Sequence, residues 1–264
     1  MSHPLLDVTR VDRPLAEYLA SCGDVFATIG GHDSRNTSYG VAIAGDRWFV
    51  KHAVDPEAIG RLESAIRFHA VVRHAAIVPL VAAVHASDGL AIVHPWHAGE
   101  VLGDPFAPGA LPRTDPKSAF ARFRALPLPE LLAAIGTVFE AHVAAAGAGF
   151  VAVDFYDGAV MYDFAAHEIR LIDLDGYRPP YTLDRERQLG SSRFMAPEEW
   201  QRGAAIDERT TVYTLGRAAF VFLGEDGWRA DARRHAVACR ATAVLPADRF
   251  ATVAELHRAW LASS

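Results

Sequence analysis

Up to about residue 94 the chain alternates short apolar runs with turn residues. The stretches "DVFATIGG", "SYGVAIAG" and "DRWFVKHA" each have a strand's length, and Gly30-Gly31 and Gly45-Asp46 punctuate them. In "RWFVK" the alternation puts Trp48 and Val50 on one face and Phe49 and Lys51 on the other. The period changes in "DPEAIGRLESAIRFHAVVRH", where Ile59, Leu62, Ile66 and Val71 or Val72 recur at near-helical spacing behind the start signal Asp55-Pro56. "AAIVPLVAAVHA" and "GLAIVHPW" then flank "SDG", the pattern of a hairpin.

Beyond residue 98 the pattern is different. "GEVLGDPFAPGALPRTDPKSAF" holds four prolines and reads as loop, followed by helical "ELLAAIGTVFEAHVAAAG". Two short strands, 160–164 and 169–174, are separated by a turn at "AAHE", and the chain from about Pro197 onward has helical spacing. The expectation is an α+β protein: a strand-rich first part with one main helix, then a larger, mainly helical part around one hairpin.

Composition narrows the function classes. At 264 residues, with 51% hydrophobic and 22% charged residues, the chain can bury a sizeable core, which excludes a disordered protein. A net charge of -6 with scattered arginines offers no basic face for a phosphate backbone, so nucleic acid is not an expected partner. Cys22 and Cys239 fit no zinc or redox spacing. The N-terminal residues lack a leader pattern and no apolar run reaches the roughly 18 residues of a spanning helix, so the expected location is the cytoplasm, with no membrane partner.

The candidate chemistry lies in two places. Lys51 shares a strand face with Phe49, and a half-buried lysine needs an anion. The loop "IGGHDSRNTSYGVAI" before it has the glycines to bring backbone N–H groups against phosphate. The stretch from Gly149 to Pro180 keeps Asp154, Asp157, Asp163, Asp173 and Asp175 in a frame of Val, Ile, Leu, Phe and Tyr.

Taken in order, the Gly-containing hairpin, Lys51, a helix with Glu63, "VAVDF", "LIDLD", "GSSRFMAPEEW" and "LPADRFATVAELHRAWL" resemble the eukaryotic-like protein kinase superfamily over nearly the whole chain. The resemblance implies a bilobal fold: a small antiparallel β-sheet lobe over about 20–94, a hinge near 94–99 and a helical lobe over 100–264. It implies ATP and Mg²⁺, with transfer of the γ-phosphate to a hydroxyl acceptor. Lys51 would hold the α- and β-phosphates, paired with Glu63 or its rival Glu57. Val93 would be the gatekeeper, and His94 to Trp96 would offer backbone groups to adenine. Asp154 takes the catalytic-base place and Asp173 the metal place. Glu198 and Arg249 take the places of a buried structural ion pair, which makes sense of both charges together.

Departures from the family pattern raise alternatives. Ala152 and Val153 stand where the family has His-Arg, Ala159 where it has a metal-binding asparagine, and Thr211 where it has an aspartate anchoring the catalytic loop. Asp157 or Asp175 would be the replacement metal ligand, although an aspartate before glycine is also a common turn residue. Gly30, Gly31 and Gly40 are spread as in the aminoglycoside phosphotransferases, which would face Asn36, Thr37 and Ser38 to the phosphates. A protein Ser/Thr kinase, a small-molecule kinase and a nucleotide-binding pseudokinase are thus all open. Arg113, Arg122 and Arg124 either read an acidic partner or form a solvated basic face.

Overall fold

The structure is a computed structural model that describes residues 3–30, 36–103, 111–188 and 190–263, apart from the side chains of residues 225, 226, 229 and 230. The chain is α+β and divides into two compact units, Met1–Val71 with Val78–Ala98, and Val72–Ile77 with Gly99–Ser264.

The first unit is an antiparallel five-stranded sheet. Its strands are β1 (Asp24–Ile29), β2 (Asn36–Ile43), β3 (Asp46–Ala53), β4 (Ala82–Ala86) and β5 (Gly89–Pro95), in the order β1-β2-β3-β5-β4. Helix α1 (Leu15–Cys22), which the hydrophobic pattern had not singled out, packs Leu15, Tyr18 and Leu19 with Val41, Val50, Ala91 and Val93. On the other face α2 (Pro56–Val71) packs Ala58, Leu62 and Ala65 with Ala53, Leu90 and Ile92. The Asp55 carboxylate accepts from the N–H groups of Glu57 and Ala58 (both 3.1 Å), so the start signal works as a side-chain cap.

In the second unit α3 (Ala119–Arg124) and α4 (Leu128–Gly147) precede a three-stranded sheet. Its strands, in the order β6-β7-β8, are β6 (Glu100–Val101), β7 (Val160–Asp163) and β8 (Glu168–Leu171). A two-residue pair, β9 (Tyr181–Thr182) with β10 (Ala205–Ile206), leads into α5 (Glu208–Ala230), α6 (Ala232–Ala241) and α7 (Val253–Leu261). Residues 72–77 belong here because Ile77 bridges Leu171, whose N–H donates to Ala76 O at 2.6 Å. Helix α4 is long and apolar enough to cross a membrane; in this unit it turns Leu131, Ile135, Val138, Phe139 and His142 inward and packs against α5 and α7.

One boundary moved in a way that matters for the site. The hairpin was expected to run to residue 174, yet pairing ends at Leu171, because Asp173 has φ +56, a left-handed conformation no strand accommodates.

Candidate functional site

In the helical unit Asp154 and Asp173 share an unusual backbone. Four non-glycine residues among those described have positive φ, and two of them are Asp154 (+62) and Asp173 (+56). Both carboxylates are exposed, whereas Val153, Phe155 and Leu174 beside them are buried. The two loops meet closely: a Cβ added at Gly176 would lie 2.5 Å from Val153 O, and one at Gly190 would lie 3.1 Å from an Asp154 carboxylate oxygen. Gly176 has no room for a side chain there, and Gly190, at φ +145, holds a backbone conformation that other residues rarely adopt.

Buried groups hold this pair of loops from behind. Thr211 Oγ1 accepts from the Ala152 N–H at 2.9 Å, which fastens the segment before Asp154 to α5. His142 bonds Val138 O through Nδ1 and the Tyr177 hydroxyl through Nε2, both at 2.7 Å. A ring donating to a carbonyl from Nδ1 accepts at Nε2, which makes Tyr177 the donor of the second bond. Burial lowers His142 to about 4 and so keeps it neutral. Tyr177 is pushed far up, first by burial and then by the charges of Asp154 and Asp173. The two aspartates therefore act on one buried hydroxyl.

Asp157 is not a metal ligand here, contrary to one sequence expectation. It is fully buried, and Arg113 grips it with two bonds, from Nε to Oδ2 and from Nη2 to Oδ1 (3.0 Å), while Arg193 Nη1 lies 3.4 Å away. Both its oxygens are thus committed to guanidinium groups. Ala159 is buried and brings no donor atom. Asp175, two residues beyond Asp173, is buried. Among the described residues no three His, Cys, Asp or Glu side chains are grouped for a metal ion. The carboxylates of this loop that could take part in holding a cation are Asp173, which is exposed, and Asp175.

The structure brings Glu198 and Arg249 together as a buried bidentate pair, with bonds of 2.7 and 2.8 Å. Thr210 donates a third bond to Glu198 at 2.8 Å, and Arg249 also bonds the carbonyls of Arg209, Ala243 and Val244. Burial alone would raise Glu198, but the Arg249 bonds hold it below its usual value. The adjacent Glu199 is different. Burial, with the nearby charges of Glu198 and Asp154, lifts it to about 7 although it accepts from the Ala196 N–H.

In the sheet unit Lys51 lies on β3 directly opposite Ser38 of β2 and Ile92 of β5, so these three share one face. Gly30 sits beside Thr37, whose Oγ1 a Cβ there would meet at 3.5 Å. Asn36 is buried, and its Oδ1 has no partner among the described residues. Gly31 lies outside the described residues. Glu63 and Glu57 both sit on exposed faces of α2.

Two expectations for the hinge need correction. Val93 packs in the α1 core, on the face away from Lys51, because residues with Lys51's orientation on β5 are Ile92 and His94. The Trp96 N–H already donates to Arg47 O at 2.9 Å and is not available to adenine. Phe26 meets the Trp96 ring edge-on at 4.9 Å, and the Arg47 guanidinium lies over both rings, at 4.1 and 4.9 Å. Gly40 makes room for them, since its Cβ would lie 2.4 Å from Phe26.

No family model matches the chain, and no curated protein matches it.

Proposed function

We propose that the protein is a phosphotransferase of the protein-kinase-like kind, moving the γ-phosphate of ATP to a hydroxyl acceptor. The observation that carries this reading is the pair Asp154 and Asp173, two exposed carboxylates in left-handed backbone, held by Thr211 and the Tyr177–His142 bond. Left-handed backbone costs about 1 kcal/mol or more per residue and persists where the surroundings impose it, which happens most often at functional sites.

In this reading Asp154 orients the acceptor hydroxyl and takes its proton as the oxygen bonds to the γ-phosphorus. The bond from that phosphorus to the β-phosphate oxygen breaks, and ADP leaves. Asp173, with Asp175 near it in the loop, would hold a single magnesium ion. When bound, the ion supplies positive charge to the phosphates. Within the sheet unit, Lys51 and Ser38, cross-strand neighbours on one face, are groups that would bind phosphate oxygens.

A pseudokinase is the second reading, favoured by the occupied Asp157 carboxylate and the occupied Trp96 N–H. Incubation with labelled ATP, Mg²⁺ and generic protein or amino-alcohol acceptors separates the two. We expect label transfer that Asp154→Asn slows by about 100-fold or more, the usual contribution of a positioned base. Nucleotide binding without any transfer would favour the pseudokinase.

A further inference from the structure

We propose that the arginines around Asp157 form a subsite for an anionic group on the acceptor, and that this acceptor is an acidic peptide segment. The inference rests on the phosphotransferase reading and names its substrate class.

One bidentate arginine satisfies a buried carboxylate. Asp157 has Arg113 in that role, and Arg113 Nη2 also bonds Gly103 O at 3.3 Å. Arg193 is surplus to that need. Its Nη1 reaches Asp157 only at 3.4 Å, it is 40% exposed, and its carbonyl accepts a bond from a third guanidinium, Arg217 Nε, at 3.0 Å. Two partly exposed guanidinium groups, Arg113 and Arg193, therefore share one buried carboxylate, and the surplus positive charge is unfavourable until an anion joins it. The rings of Phe120 and Phe194 flank Arg193 at 5.8 and 5.6 Å and limit its swing.

The position relative to Asp154 is set by two parallel ties. Gly190 lies against Asp154, and Arg193 lies against Asp157. Each partner is three residues further along its own segment, so Asp157, which Arg113 and Arg193 contact, lies within about 10 Å of Asp154 along the backbone. A peptide presenting a hydroxyl to Asp154 would carry its acidic side chain about three extended residues away. The two other arginines of this region are engaged elsewhere: Arg122 pairs with Glu100 at 2.7 Å, and Arg124 lies against Gly224.

The test is binding without nucleotide, read by fluorescence anisotropy. The probes are a labelled peptide with one serine flanked by glutamates about three residues to either side, and its counterpart with glutamines there. We expect the acidic peptide to bind about tenfold tighter than the neutral one at low salt. Arg193→Gln removes most of that preference and leaves the neutral peptide's affinity unchanged, and Arg193→Lys restores part of it. Equal affinity for the two peptides, no binding of either, or a preference that survives Arg193→Gln would each overturn the subsite. Because no transfer is measured, that failure is separate from a failure of the phosphotransferase reading, which shows as absent label transfer to any acceptor.

Discussion

Asp154 and Asp173 tolerate left-handed backbone better than most residues, because a short polar side chain bonds locally there. Asn shares that tolerance, so Asp154→Asn and Asp173→Asn should keep their melting temperatures within a few degrees while losing transfer. Val in either place should destabilise the loop. At Glu199 a different residue-scale effect is expected. Its folded value of about 7 exceeds the ordinary 4.5, so its stability contribution is whole below pH 4.5 and is lost as pH rises through 7. The difference corresponds to about 3 kcal/mol. Glu199→Gln should therefore stabilise the protein at pH 8 and flatten its denaturation midpoints between pH 5 and 7. His142 acts with the opposite sign. Lowered from 6.5 to about 4, it keeps its contribution above pH 6.5 and loses it as pH falls toward 4. Acid titration of His142→Gln against the parent checks that direction.

At the scale of elements, the Asp154 loop is fastened at a few points. Thr211→Val keeps the shape and removes the acceptor for the buried Ala152 N–H, which should cost about 1–3 kcal/mol and lower transfer as the loop loosens. Arg249→Leu strands the buried Glu198 charge and should cost about 3–5 kcal/mol by denaturant unfolding. The sequence was most legible where the physics is local. Asp55-Pro56 started α2 and the alternation in "RWFVK" put Lys51 with Phe49, whereas the pairing of Glu198 with Arg249, 51 residues apart, was legible only through the family resemblance. The alternation in "GLAIVHPW" sets Ile92 and Val93 on opposite faces, but only the register of β3 with β5 shows that Ile92 is the one beside Lys51. The Asp157–Arg113 clamp was not legible, because its partners are 44 residues apart and Arg113 comes from a proline-rich loop with no periodicity. Helix α1 was missed for a related reason, since eight residues give too few turns for a pattern.

At the scale of the whole molecule the net charge of -6 hides the two arginines that share Asp157, a local feature that bulk charge does not report. The α+β division into a strand-rich and a helical unit followed from the change of period, while residues 72–77 changed unit because of one long-range bridge to Leu171. ATP with Mg²⁺ should raise the melting temperature, since a ligand at about 100 times its Kd adds roughly 2.7 kcal/mol, and Lys51→Ala should abolish that rise. The most direct measurement is transfer of label from γ-labelled ATP, with Mg²⁺ and an acidic serine peptide, by the parent protein and by Asp173→Ala side by side. The account expects labelled peptide with the parent and none above background with Asp173→Ala. Equal labelling by both proteins, or none by either, would contradict it.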